Sequence, residues 1–426
     1  MSDDPAGTGD DAPSASDEHP RRPAPRLTTR EAAQVLGVKP ATVYAYVSRG
    51  QLGSRRDPTG RGSSFDAGEV EALARRSRRE AAVPAGELSV RTSLTLIEAD
   101  RYYFRGVDAV ELASRHCYEE VAEWLWTGTL SPGARFDAPP EVLAAARRAV
   151  AALPEHGGPI DRLRVAVAAA AVADPLRFDL SEAAVLGSAR CLIPTLVDAL
   201  PPVGAPARDG DGRLARRLWS RLTATDPDPA ALDVLDLALG LLADHDLAAS
   251  TLAVRVAASA RAHPYAAVSA GLGALEGPLH GAAGRLAHGM LTQVRARGGA
   301  APVVAEYLRA GQRVPGFGHR LYRGEDPRAR ALFGRLTELP GAAPALGAAR
   351  DVAAVMSRHG LHPNVDLALA VLTVSCGMRA EAGETVFAVS RTAGWVAHAL
   401  EEYQERPLRM RPSGHYDGPR PPRPLP

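Results

Sequence analysis

A histidine set among small residues is the first place in this chain where residue type and spacing suggest chemistry. Gly277-Pro278-Leu279-His280-Gly281 is followed by Ala282-Ala283-Gly284. Pro278 sets a turn, and the small residues let a helix begin and a ligand approach the backbone. The free N–H groups and positive end of such a helix disfavour a second proton on His280. A neutral imidazole held there can donate a hydrogen bond to an oxygen that gains charge during a reaction. Taken alone, the stretch also reads as a plain structural turn. Two more stretches carry candidate groups. They are Val314-Pro315-Gly316-Phe317-Gly318-His319-Arg320, with Asp326-Pro327-Arg328 after it, and His362-Pro363-Asn364-Val365-Asp366.

In this order and at these separations the three stretches resemble the citrate synthase family. Its usual forms are Gly-Pro-Leu-His-Gly, Pro-Gly-(aromatic)-Gly-His with Asp-Pro-Arg after it, and Pro-Asn-Val-Asp. Leu242-Ala243-Asp244-His245 and Ser390-Arg391-Thr392-Ala393-Gly394-Trp395 match two further family segments, and the similarity runs from about Arg91 to Pro412. The resemblance implies joining the methyl carbon of acetyl-CoA to the keto carbon of oxaloacetate, then hydrolysing the thioester to citrate and CoA. On that pattern Asp366 is the base that takes the methyl proton. His280 stabilises the enol oxygen, and His319 polarises the keto group. Arg328, Arg391 and Arg411 match the three arginines that grip the two carboxylates, a task suited to planar guanidinium groups. His245 matches a further substrate contact. In the family Arg411 reaches a neighbouring subunit's site, which implies a homodimer with shared sites. The loop Arg313, Val314, Pro315, Gly316, Phe317 and Gly318 is expected to present backbone groups to the adenine of CoA, and Arg323 to meet its phosphates. No cofactor beyond the acyl-CoA substrate and no metal is implied.

Singly, each of these residues has a structural reading: a helix cap for Asp366, a surface ion pair for each arginine. His288, His359, His362 and His398 match nothing and are read as structural. Two departures bear on the acyl pocket. Ala282-Ala283-Gly284 follows His280-Gly281 where the family commonly has Gly-Ala-Asn, and Leu367-Ala368-Leu369-Ala370 follows Asp366 where many members carry aromatic residues. Acetyl against propionyl selectivity therefore stays open.

The elements that must position these groups read as helices. Apolar residues make up 46% of 426 residues and aromatics only 5%, with alanine abundant, which favours packed helices over sheet. Three scattered cysteines (Cys117, Cys191, Cys376) fit neither a disulfide framework nor a zinc site. No apolar run approaches the roughly 18 residues of a membrane helix, and the acidic start is no signal peptide, so the expected location is cytoplasmic. Residues 92–97 alternate as a short strand. Tyr118 to Thr127 reads as an amphipathic helix with Glu119 and Glu120 outward and Gly128 as its stop. From 141 to 200 alanine-rich helices are expected, broken by Pro154, Pro175 and Pro194. Helices over 231–243, 250–262 and 265–275 lead to His280, and 387–402 forms a long closing helix.

The start of the chain differs. Residues 1–25 carry six acids against Arg21 and Arg22 and little to bury, so they read as a disordered acidic tail. Residues 26–80 carry eleven basic against six acidic side chains. Thr28 with Glu31 three residues on is a capping box. Gly37 to Pro40 is a tight turn, a second helix spans 41–49, and residues 54–65 read as a hairpin before a helix capped by Asp66. The pattern resembles the winged helix-turn-helix of excisionases and mercury-resistance-type regulators. That resemblance implies that Lys39, Thr42 and Tyr44 face the major groove while Arg55, Arg56 and Arg61 meet phosphates. A small helical adaptor with a basic face is the other reading.

The expected architecture is mainly α: a two-lobed citrate synthase-like fold over 91–412, its small lobe roughly 255–362, after a winged helix-turn-helix domain at 26–80 and a linker at 81–90. A proline-rich tail fills 413–426. Besides the citrate synthase reaction, a 2-methylcitrate synthase and a DNA-binding regulator that senses CoA or oxaloacetate remain in play.

Overall fold

The computed structural model describes residues 26–48, 52–56, 62–71, 73–74, 90–204, 212–277, 281, 283–412 and 417–418. The expected tail at 1–25, most of the linker, Arg61, His280 and most of 413–426 lie outside them. The chain divides into two compact units, residues 1–90 and 91–426.

In the first unit the capping box forms as the sequence requires. Glu31 accepts from the Thr28 backbone N–H at 2.7 Å, and Thr28 Oγ1 accepts from Glu31 N. The Thr29–Leu36 helix ends at Gly37 with φ +69°, and Pro40–Ser48 follows across the turn. Strands Ser54–Arg56 and Ser63–Asp66 pair as a hairpin, and Asp66 caps the next helix by accepting from Glu69 N. Arg26–Thr28 adds a third strand on the other side of Ser63–Asp66, which sequence reading missed. Phe65 from that middle strand packs with Ala32, Ala33, Val43, Leu52 and Val70 in a core of its own.

The second unit is helical apart from a small antiparallel sheet, Thr95–Glu98, Arg101–Phe104 and Val107–Asp108. Its axis is the Ala382–Gln404 helix, buried along most of its length. Around it pack Tyr118–Thr127, Glu182–Ala199, Pro229–Leu242, Ala249–Ser259 and Pro264–Leu275. On another side Val365–Ser375 packs between Ala283–Arg297 and Pro327–Leu336, with Ala343–Met356 and Ala300–Arg309 outside. Small residues permit the closeness. A Cβ on Gly271 would lie 2.8 Å from Trp395 and from Val254, so the 264–275 helix sits directly on the wholly buried Trp395.

Two local expectations are overturned. Glu119 is buried rather than outward, because the 118–127 helix is covered on more than one side. Its carboxylate accepts from Leu214 N at 2.9 Å, and burial pushes its pKa up. Pro194 does not break a helix; it lies buried inside the continuous Glu182–Ala199 helix. The local cost of an interior proline, about 3 kcal/mol, is outweighed by the packing of this helix on its neighbours. Among the described residues no helix is long and apolar enough to cross a membrane.

Gly271→Ala should overpack this contact and lower stability by about 1–3 kcal/mol. Chemical denaturation followed by circular dichroism checks it; an unchanged midpoint would show that the helices part at no cost.

Candidate active site

The site is assembled by a zipper of backbone bonds between two loops some forty residues apart. Gly318 N donates to His362 O at 2.8 Å, Asn364 N donates to Gly316 O at 2.9 Å, and Asn364 Nδ2 donates to Gly318 O at 3.0 Å. Gly316 and Gly318 both have positive φ, +82° and +78°, and a Cβ on Gly316 would strike Leu367. Only glycine meets both demands at 316. The zipper places His319 beside the start of the Val365–Ser375 helix, whose N-cap Asn364 accepts from Asp366 N at 3.0 Å.

Asp326 locks the same junction from below. It caps the Pro327–Leu336 helix through Arg328 N at 3.0 Å and pairs with the Arg328 side chain at Nε (3.0 Å) and Nη2 (2.8 Å). Its second oxygen also accepts from Val365 N at 3.1 Å. Burial alone would raise the Asp326 pKa, yet Arg328 holds it below the usual carboxylate value. Burial likewise opposes the charge on Arg328, and Asp326 more than offsets it.

The histidines are held without their second proton. His319 Nδ1 accepts from Leu321 N at 3.1 Å, so the ring's proton sits on Nε2. Burial and the neighbouring Arg328 push its pKa down to about 4. Its Nε2 lies 3.3 Å from Arg328 Nη2, so a donor faces a donor. His245 bonds the Tyr322 hydroxyl at 2.8 Å and meets the His319 ring edge-on at 5.2 Å. Burial first, then Arg328 and Arg391, keep its pKa well below the usual value.

Arg391 enters from the central helix. Gly394 N donates to Ala243 O at 2.9 Å, bringing that helix against the turn that carries His245. Arg391 Nε donates to Leu242 O at 2.8 Å, and its guanidinium lies over the Phe387 ring at 4.5 Å. Nη2 is buried with no hydrogen-bond partner among the described residues. Burial pulls the Arg391 pKa down to about 10, and Arg328 adds to the effect while Asp244 opposes it. The counter-charge this guanidinium lacks is what a ligand carboxylate brings.

Asp366 goes the other way. Burial pushes its pKa up to about 6, with Asp326 adding to the rise and Arg328 opposing it. The carboxylates at 326 and 366 are thus driven apart, one to stay ionised and one to exchange protons near neutrality.

This chain's family segments therefore meet in space: His245, His319, Arg328, Asp366 and Arg391 converge. A model of the citrate synthase C-terminal domain matches residues 84–413. The chain belongs to the citrate synthase family. Its first unit matches a helix-turn-helix domain over residues 26–78. Citrate synthase 2 of Bacillus subtilis is 30% identical over 353 residues, covering 78% of this chain and 95% of that protein. The Pyrobaculum aerophilum citrate synthase structure superposes with a TM-score of 0.67 at 27% identity, over 88% of this chain and 97% of its own. A Thermoplasma acidophilum citrate synthase, solved with carboxymethyl coenzyme A and oxaloacetate, gives 0.64 at 25% identity over 79% and 96%.

Arg411 is exposed and makes no hydrogen bond or ion pair by its side chain among the described residues. In the 313–318 loop Val314 is buried, Phe317 packs on the core, and the Gly316 and Gly318 backbone groups named above serve the zipper. Arg313 is exposed, and Arg323 is exposed beside a cleft of about 610 Å³ that Asp100, Asp246 and Leu321 also line. The helix after His280 starts at Ala283, and a Cβ on Gly281 would collide with the Leu275 carbonyl. In the first unit Lys39, Tyr44, Arg55 and Arg56 are exposed, Thr42 is half-buried, and Tyr44 OH lies 3.2 Å from Thr29 Oγ1. Sequence reading missed Tyr322 and gave Asp326 no role of its own. The signal for Asp326 was present: an acid before Pro-Arg is an N-cap.

Asp366→Asn should raise the melting temperature at pH 8 and change it less at pH 5. An Asp whose folded pKa is raised is ionised at a cost above about 6, and that cost fades as pH falls toward the unfolded value. A lower melting temperature at pH 8 would mean the carboxylate is stabilised, not strained.

Proposed function

We propose that this citrate synthase-type enzyme condenses acetyl-CoA with oxaloacetate and hydrolyses the product to citrate and CoA. The observation that carries the reading is a set of N–H groups left over after the site's internal bonds are made. His319 Nε2–H faces Arg328 Nη2, which has one N–H on Asp326 and a second to spare, and Arg391 Nη2 has no partner among the described residues. An oxygen-rich dianion satisfies all three at once.

In the proposed sequence Asp366 takes a proton from the acyl methyl group, a step suited to a carboxylate with pKa raised toward working pH. His280 is assigned, by its place in the family segment, the hydrogen bond to the thioester oxygen as enol character develops. The new carbon–carbon bond forms at the keto carbon, whose oxygen accepts from His319 Nε2–H. Arg328 and Arg391 take the oxaloacetate carboxylates with His245 beside them. Arg411 serves a neighbouring subunit's site in a homodimer, in keeping with its exposure here. The helices within 255–362 act as the small lobe that closes over substrate, with Arg313 to Gly318 and Arg323 toward CoA. The small residues after His280 and Asp366 leave room for propionyl-CoA as a slower substrate.

The test is CoA release from purified protein. Release should require oxaloacetate, favour acetyl-CoA over propionyl-CoA, and nearly vanish in Asp366→Asn. Arg391→Met should weaken oxaloacetate binding by about 2–5 kcal/mol. Oxaloacetate-independent release, or an unchanged KM in Arg391→Met, would overturn the assignment.

The first unit supports a second activity, duplex DNA binding, through the exposed Lys39, Tyr44, Arg55 and Arg56 with Thr42 and Arg61. In a homodimer two copies would read paired half-sites. Fluorescence anisotropy with labelled duplex should show weak binding that falls steeply with salt, tightened by deleting residues 1–25. Loss of residues 1–85 should abolish it and leave CoA release unchanged. No binding at low salt would favour a protein-binding adaptor.

A further inference from the structure

Behind the pocket runs a line of buried charged side chains that the proposed chemistry leaves unused. Asp244, next to His245, is fully buried; its Oδ2 accepts from Thr95 Oγ1, and its Oδ1 faces His398 Nε2 at 3.3 Å. On the ring's far side Arg255 Nη1 donates to His398 Nδ1 at 2.9 Å. An arginine can only donate, so the His398 proton sits on Nε2, toward Asp244. Arg255 continues the line to Glu402 at 3.1 Å and Glu401 at 2.8 Å. Glu402, also fully buried, accepts from Arg409 Nη2 at 2.6 Å. Arg409 lies beyond the central helix, in a segment further held by Leu408 N donating to Ser259 O at 2.8 Å.

Burying this many ions costs several kcal/mol each, and apolar side chains would fill the space more cheaply. What the line supplies is geometry. Arg391, His398 and Glu402 stand seven and four residues apart on one face of one helix. Arg391 and His398 bracket the 242–245 turn, one at Leu242 O and the other at Asp244.

We infer that His398 is a positioning residue: it holds Asp244, and with it the His245–Arg391 corner, and ties that corner through Arg255 and Glu402 to Arg409 and the C-terminal segment at 406–411. The inference rests on the reading above that this corner takes oxaloacetate. Occupancy of the corner and docking of the segment are then coupled, each favouring the other.

Three full-length proteins test it: the parent, His398→Leu, which removes the bond to Arg255 and the contact with Asp244, and Arg409→Met, at the half-exposed end of the line. Oxaloacetate affinity is measured by calorimetry, and docking of the segment by hydrogen–deuterium exchange at the backbone N–H groups of Leu408 to Met410 with and without oxaloacetate. In the parent, oxaloacetate should slow that exchange. Both variants should lose the protection and bind oxaloacetate about 5-fold or more weakly, with the acetyl-CoA KM unchanged. His398→Gln, which restores a donor and an acceptor, should recover most of the affinity. If His398→Leu fails to fold, Arg409→Met decides alone. A parent that binds no oxaloacetate overturns the functional reading and this inference with it. A parent that binds, with Arg409→Met unchanged in affinity and protection, overturns the inference only.

Discussion

One carboxylate organises the catalytic unit. Asp326 accepts from Arg328 N, Nε and Nη2 and from Val365 N, two of these through each oxygen. It caps one helix, neutralises the guanidinium that follows, and grips the first turn of the helix that carries Asp366. A buried carboxylate with four N–H donors is stable as an ion, whereas one with fewer would tend to take a proton. The two helices are therefore held in one relative position before any ligand arrives, and the Gly316 and Gly318 bonds to His362 and Asn364 add the 314–320 loop.

The electrostatics of the pocket follow from that anchor. Arg328 keeps its charge because Asp326 faces it, while burial first and the Arg328 charge second keep His319 and His245 neutral. Arg391, with a carbonyl and an aromatic face instead of a carboxylate, keeps unsatisfied positive character. Asp366 is half-buried without a bonded cation and so becomes a weaker acid. Neutral donors, one uncompensated cation and one basic carboxylate are what carbon-acid chemistry on a dianionic keto acid requires. None of this needs a residue with unusual intrinsic chemistry; burial and the charges placed beside each group are enough.

The helix-turn-helix unit is organised by a different constraint. At its size a core of a few apolar side chains must be supplemented by well-made ends. The Thr28–Glu31 capping box, the left-handed Gly37 and the Asp66 cap supply them. The same economy places Phe65 on the middle strand, in one core with Ala33, Val43 and Val70 from the three helices.

Much of this was legible in the chain. Caps and stops at Thr28, Gly37, Asp66 and Gly128 are local devices, readable because their partners lie within a few residues. The segments around His319 and Asp366 were legible as chemistry, since Gly-rich turns and helix starts are also local. What one dimension could not show is contact across distance. Glu119 was read as outward because an amphipathic pattern presumes one buried face, and tertiary packing covered more of that helix. Pro194 was read as a break because the local rule ignores the packing that outweighs it. His398 matched no motif, and its importance lies in Asp244 and Arg255, each more than 140 residues away. The sequence by itself determined which groups are available and where helices start and stop. The tertiary structure alone decided their charge states, because these depend on burial and on neighbours brought in from remote parts of the chain.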